Sequence, residues 1–339
     1  MNDSWILALA DDLTGALETG AKFAACGLSV SVTTDSTMER RPREAVMVID
    51  TETRHMAPSE ACLVVAMLGM RAARFSPTLV YKKTDSTLRG NIAAELRGLQ
   101  QAFPQRRVIY APAYPAMGRT VRNGHLLIGG VPVNKSGFGS DLLNPVLQSN
   151  VHELLGDVHA EVLDGETDGD VMAAARIVLG CIPPAIAVGP AALAGALATL
   201  SGESAEVPKW PDVRRCLAVN GSAHPASKSQ IEFAKLHGCF NQDWRCLEQE
   251  IEAEGLERAR QTGFAVFEQW QQQAFDAIIV FGGDTAYGIH QAFGSPVFQP
   301  HGEIVPGVPV SSAGGLTWIT KAGGFGAPDV IREIRRRLT

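Results

Sequence analysis

Three stretches of this 339-residue chain concentrate side chains that can do chemistry. Asp11 and Asp12 stand together in ADDLTGA, just after an apolar run. Adjacent carboxylates at a strand end can supply a general base or bind a metal, and one of the two can instead cap the helix that follows. Arg54 lies in DTETRH, after a second apolar run, where it can grip a carboxylate in a two-pronged fork or sit in a surface salt bridge. The third stretch, YKKTDSTLRGN, is the most informative. It sets Lys82, Lys83, Thr84, Asp85, Ser86 and Arg89 where an apolar strand gives way to a helix. Cations, hydroxyls and backbone amides at a helix start suit a small anion. An extended backbone sends Lys82 and Lys83 to opposite faces, so one of them reaches the site.

The second half carries a different signal. Phe281 is followed by Gly282, Gly283, Asp284 and Thr285, and Thr320 by Lys321, Ala322, Gly323 and Gly324. Glycines after a buried strand let the backbone approach a ligand, and a helix start favours phosphate. NGSAH offers the Ser222 hydroxyl but lacks the GxSxG of a hydrolase elbow. GxGxxG with a following acid is missing, which argues against a dinucleotide dehydrogenase, and no complete Walker A sequence is present. The six cysteines form no CxxC pair and the eight histidines are scattered, so no metal site is expected. A loop from Pro112 to about Asn144 adds Arg119 as a further anion contact.

Elements that hold these residues follow from hydrophobic periodicity. Short apolar runs alternate with amphipathic stretches, the pattern of α/β domains with parallel sheets. Strands are expected at Ile6 to Ala10, Leu28 to Thr33, Ala45 to Asp50, Thr78 to Lys82, Val108 to Ala111, Ala185 to Val188, Cys216 to Asn220 and Ala277 to Phe281, with two short ones at Val308 to Ser311 and Thr317 to Thr320. Helices are expected between most of them, including Thr285 to Phe293 and a closing one at Asp329 to Leu338. The expected architecture is two domains, 1–207 and 208–339, each a mainly parallel sheet flanked by helices. Charge gives −6 overall, from 30 basic and 36 acidic residues, which excludes a nucleic-acid binder relying on a broad positive field. The start of the chain does not read as a signal peptide. The uncharged stretch from Ile177 to Gly202 contains Pro183-Pro184 and Gly189-Pro190 and reads as strand, turn and Ala-rich helix rather than a membrane span. A cytoplasmic protein with free thiols is expected.

The chain resembles the four-carbon acid sugar kinase family, the ATP-dependent kinases of threonate and erythronate. ADDLTGALETG, DTETRH, YKKTDSTLRGNIAAEL, APAYPAMGRT, FGGDTA and KAGGFG occur in the family's order. The resemblance implies an N-terminal domain for the sugar acid, a C-terminal domain for ATP with Mg²⁺, an active site in the cleft between them, and phosphorylation of the acid's terminal hydroxyl. It maps acid contacts to Asp11, Asp12, Arg54, the run Lys82–Ser86 and Arg89, with Asp12, Asp85 and Lys82 as catalytic candidates and Asp12 favoured as base. It maps ATP contacts to Ser222, Gly282, Gly283, Asp284, Thr285, Lys321, Ala322, Gly323 and Gly324. A homodimer is compatible with it. Two departures stand out: the chain is short between His237 and Ala277, and NGSAHPAS differs from the family's SGSCS-like pattern. A binding or regulatory protein on the same scaffold is therefore the alternative.

Overall fold

The computed structural model describes residues 4–140, 144–202, 210–247 and 253–339. The chain forms two compact units, residues 1–30 with 34–204 and residues 31–33 with 205–339. The expected boundary at 207/208 lies outside the described residues.

The first unit is built on a seven-stranded sheet. In chain order its elements are β1 (Ile6–Ala10), α1 (Leu13–Ala24), β2 (Val30–Thr33), β3 (Val46–Asp50), α2 (Pro58–Ala73), β4 (Leu79–Lys83), α3 (Ile92–Ala102) and β5 (Val108–Tyr110). After β5 come β6 (Arg119–Arg122), β7 (His125–Ile128), β8 (Val131–Pro132), α4 (Val151–Leu155), β9 (Ala160–Val162), α5 (Asp168–Leu179), β10 (Ile186–Gly189) and α6 (Ala191–Ser201). The sheet order is β2-β3-β1-β4-β10-β5-β9. β1 pairs in parallel with both β3 and β4, so the chain builds outward on one side of β1 and then crosses to the other. Ligands of open α/β sheets sit at such reversals, beyond the carboxyl ends of the strands. β1 and β4 are buried along their whole length; β1 therefore reads as a continuous apolar run, whereas β4 ends in two buried lysines.

One expectation is corrected here. The stretch from Pro112 to Asn144 is not an irregular loop: β6, β7 and β8 form an antiparallel sheet of their own. Its strands are two to four residues long and partly exposed, too short for a periodic signal.

The second unit holds β11 (Cys216–Asn220), α7 (Pro225–Leu236), β12 (Trp244–Cys246), α8 (Gly255–Gln272), β13 (Ala277–Phe281), α9 (Gly283–Ala292), β14 (Gln299–Val305), β15 (Val308–Ala313), β16 (Leu316–Lys321) and α10 (Val330–Leu338). Its sheet order is β12-β11-β13-β16-β15-β14. The first four strands are parallel, whereas β15 runs antiparallel to β16 and β14 antiparallel to β15. Half of this sheet is thus a meander, a feature the sequence reading did not include. A core of Cys216, Ala218, Ile279, Phe281, Val310, Ile319, Ile331 and Ile334 seats α10 against the strands. α8 and α9 touch through glycines: a Cβ on Gly263 would lie 2.2 Å from the Gly288 carbonyl oxygen. Among the described residues no helix is long and apolar enough to cross a membrane.

Candidate functional site

In the first unit the chemistry-bearing residues converge at the carboxyl ends of β1, β3 and β4. Asp12 has extended backbone and caps α1: its Oδ1 accepts the Gly15 N–H at 3.0 Å and its Oδ2 the Thr14 hydroxyl at 2.7 Å. The Arg54 fork is spent on the protein's own carboxylates. Its Nε donates to Asp11 Oδ2 at 2.8 Å, one terminal nitrogen to Asp12 Oδ2 at 2.7 Å, and the other stands 3.8 Å from Asp85 Oδ2. Asp85 in turn takes both arms of Arg89, at 3.1 and 2.8 Å, together with the Thr87 amide at 2.8 Å and the Thr87 hydroxyl. Gly90, at φ +89°, passes close by: a Cβ there would lie 3.1 Å from Asp11 Oδ2. Asn91 ties the end of this turn to the one after β3, donating to the Thr53 and Met56 carbonyls.

Lys82 and Lys83 do part company. Lys82 is fully buried; its ammonium sits 3.1 Å from Glu95 Oε1 and donates to its neighbour's carbonyl at 3.0 Å. Glu95 also takes the Thr53 hydroxyl. Lys83 goes the other way, toward the start of α1. A Cβ on Gly15 would lie 2.7 Å from Lys83 Nζ and 2.5 Å from Asp12 Oδ1. Lys83 is 4 % exposed, yet among the described residues its ammonium has no hydrogen bond or ion pair. It is a buried cation facing the α1 N-terminus, with Asp12 as its charged neighbour. Thr84 and Ser86 are buried beside it in the turn.

The electrostatics separate the carboxylates. Burial would raise Asp12 and Asp85, but cations overcome it: Arg54 and Lys83 hold Asp12 below the usual range, and Arg89 and Arg54 hold Asp85 well below it. Asp50, at the end of β3, has no such help. Burial pushes it up to about 7, against hydrogen bonding from Glu52, with Asp12 and Asp11 adding repulsion. Among the described residues its Oδ2, like Asp11 Oδ1, is buried without a hydrogen-bond partner. Glu52 adopts φ +48° so that its carboxylate takes the Leu13 N–H at 3.2 Å while its own amide donates to Asp50.

Three expectations change on this geometry. Asp12 is a helix cap and ion-pair partner with both oxygens taken, a poor proton acceptor. Lys82 is held inward by Glu95 rather than poised for catalysis. Arg54 organises Asp11, Asp12 and Asp85 instead of offering a vacant fork. Glu95 and Asp50 escaped the reading as site residues; Asp50 belonged to a quoted motif, but nothing in its spacing marks a shifted carboxyl.

The second unit gathers its glycine segments at the ends of three adjacent parallel strands, β11, β13 and β16. Gly282 leaves β13 at φ +109° and α9 starts at once, with Gly283 at its first position. Thr285 packs against the chain after β11, where a Cβ on Gly221 would lie 1.7 Å from its hydroxyl oxygen. Ser222 and the His224 ring face the glycines after β16: a Cβ on Gly323 would meet Ser222 Oγ at 2.3 Å, and one on Gly324 would meet His224 Nε2 at 3.2 Å. His224 is also the α7 cap, accepting the Ala226 N–H. Asp284 lies in the first turn of α9.

Lys321 is another correction. It is fully buried, 4.5 Å over the Phe281 ring, and donates to the Ala322 and Gly323 carbonyls at 3.0 Å each and to Ser227 Oγ at 3.3 Å. Burial pushes its ammonium down to about 7. Its three hydrogen bonds all run to the protein's own oxygens in the ligand-free chain.

A charged, hydroxyl-rich strand-end cluster and a glycine-lined one thus lie on separate α/β units, the first chemically suited to a small polar anion and the second to the phosphates of a nucleotide. Comparison with known proteins agrees. The model of a sugar-binding N-terminal domain matches residues 6–162, and that of a nucleotide-binding C-terminal domain matches residues 247–331. The chain belongs to the four-carbon acid sugar kinase family. A D-threonate kinase of Bordetella bronchiseptica is 28% identical over 98% of this chain and 96% of its own length. A D-threonate kinase of Salmonella typhimurium is 37% identical over 44% of this chain and 36% of its own length, and further relatives are a D-erythronate kinase and 3-oxo-tetronate kinases. In fold, a solved Salmonella typhimurium protein described as a putative tRNA synthase superposes with TM-score 0.79 at 19% identity, covering 99% of both chains.

Proposed function

We propose that this chain is an ATP-dependent kinase that transfers a phosphoryl group to the terminal hydroxyl of a four-carbon sugar acid. The observation that carries the acid half is Lys83, a buried ammonium that has no hydrogen bond or ion pair among the described residues, in a site where Arg54, Arg89 and Lys82 are already paired. An unpaired buried cation is costly, and a substrate carboxylate resolves it. Thr84 and Ser86 lie beside it to position hydroxyl groups.

The nucleotide half rests on the glycine segments. Gly282, Gly283 and the Thr285 hydroxyl at the start of α9, with Ser222 and the Gly323–Gly324 backbone, fit a polyphosphate by helix-terminus and backbone amides. Bound Mg²⁺ would neutralise the phosphate oxygens. In transfer the acceptor oxygen forms its bond to the γ-phosphorus, the bond to the β-phosphate oxygen breaks, and the hydroxyl proton is released. Such a transition state calls for positioning and charge neutralisation more than for a strong base. The low-pKa carboxylates Asp12 and Asp85 fit that demand: they set the acid's place rather than take its proton.

The test is ADP release from Mg-ATP across D- and L-threonate, D- and L-erythronate, 3-oxo-tetronate and longer sugar acids. Turnover on a four-carbon acid is expected. ATP binding with no turnover on any acid would favour the non-catalytic reading.

A further inference from the structure

Helix α7 presents two buried polar side chains one turn apart, Ser227 and Gln230, toward the segment 322–327. Gln230 is 1 % exposed, and its Nε2 alone meets three carbonyl oxygens: Phe325 at 2.9 Å, Gly326 at 2.8 Å and Ala327 at 3.1 Å. Its Oε1 is buried without a partner. That orientation is fixed, because the flipped amide would set an oxygen against three oxygens. Ser227 Oγ donates to the Gly323 carbonyl at 2.8 Å, and Lys321 donates to the carbonyls of Ala322 and Gly323. Five carbonyls of a six-residue glycine-rich segment are thereby drawn inward by three side chains. The Gly323 and Gly324 amides have no acceptor among the described residues, and the Ser222 hydroxyl and His224 ring stand beside these glycines.

A backbone with five of its six carbonyls bound on one side turns the N–H groups of those peptides to the other, and successive outward N–H groups make an anion-binding concavity. We propose that Gln230, Ser227 and Lys321 form a carbonyl clamp that shapes the 322–327 segment into the phosphate-binding concavity of the nucleotide site. They are positioning residues: Lys321 acts through the loop it holds, not by touching phosphate. The inference rests on the nucleotide-binding reading of this unit only for the ligand; the clamp itself concerns the ligand-free chain.

The experiment separates the two. Gln230→Glu is nearly isosteric, removes both donors and sets a carboxylate against three carbonyls; Gln230→Met and Lys321→Met are milder companions should the first not fold. In nucleotide-free protein, hydrogen exchange of the Phe325 and Val330 amides, bonded to the Ala322 and Ala327 carbonyls, reports the segment's order. The clamp predicts exchange at these amides at least roughly tenfold faster in each variant, as expected on losing buried donors, with amides of β13 unchanged. It predicts ATP affinity weakened roughly tenfold in Lys321→Met, with the same dependence on salt as the parent. Unaltered exchange in both milder variants would overturn the clamp. So would a Lys321→Met protein whose ATP binding loses salt dependence, since that marks a direct charge contact. A parent chain that binds no ATP would remove the nucleotide reading while the exchange result still judges the clamp.

Discussion

Replacing Lys83 by methionine tests the acid site most directly. The substitution keeps length and apolar bulk and deletes one charge. In the ligand-free protein that charge is 4 % exposed and has no hydrogen-bonding partner among the described residues, so its burial is a cost to the fold. Its return is the attraction that helps hold Asp12 ionised, a contact that Arg54, Thr14 and Gly15 also support. Urea unfolding of Lys83→Met should therefore show a midpoint equal to or above that of the parent. Binding should change the other way. A carboxylate hydrogen-bonded to a buried ammonium is worth about 1.5–3 kcal/mol, which converts to a KM for the acid raised roughly 10- to 150-fold. Steady-state ADP release at saturating Mg-ATP measures it. The KM for ATP should hold, because Lys83 belongs to the sugar-binding unit. An unchanged KM for the acid with a depressed kcat would refute the assignment and give Lys83 to the transferring phosphoryl group. A collapse of the unfolding midpoint would refute the premise that its charge is unpaired.

Two further outcomes follow from the same geometry. Gly15→Ala places a Cβ 2.5 Å from Asp12 Oδ1 and 2.7 Å from Lys83 Nζ, so both must move; the acid's kcat/KM should fall at least about tenfold, while stability changes by less than about 2 kcal/mol because alanine's helix preference offsets the strain, and parent-like kinetics would show that the two groups are not held where the acid binds. Asp50 is raised to about 7 from an unfolded value near 3.8, so the native state binds the extra proton between these limits and stability attributable to Asp50 is full below about 4 and lost as pH rises to 7. Asp50→Asn should thus gain stability relative to the parent over that window and level off above it, as read from unfolding midpoints at pH 4 to 8; a constant difference across the window would contradict the shifted carboxyl.

Much of the frame was legible because buried parallel strands leave continuous apolar runs. Ile6 to Ala10, Cys216 to Asn220 and Ala277 to Phe281 match β1, β11 and β13 residue for residue. Helix ends moved by one to two residues where capping decided them: α9 begins at Gly283 rather than Thr285, since Gly282 already turns the chain. β9, β12 and β14 were missed; β9 and β12 are three residues long, and β14 carries Pro300, His301 and Gly302, which break an apolar pattern. In the first unit the residue types were legible but their pairings were not. Arg54 meets Asp11 and Asp12 from more than forty positions away, and Lys82 on β4 finds Glu95 on α3. Alternation along an extended strand separates Lys82 from Lys83, yet only the packed structure tells which is neutralised. Gln230 left no trace, since a glutamine within a helix has no sequence signature of a loop contact.

The three-carboxylate grip of Arg54 bears on how this site can change over generations. With Asp11, Asp12 and Asp85 all answering to one guanidinium, the loss of any single member strands charge on the others. Substitutions here are therefore strongly non-additive. A lineage that swaps one of these residues is expected to carry a compensating swap among its partners, whereas Lys83 meets this frame only through its attraction to Asp12, so its replacement leaves no hydrogen bond broken. Substrate preference can drift through that single unpaired position while the ionic frame around it stays locked.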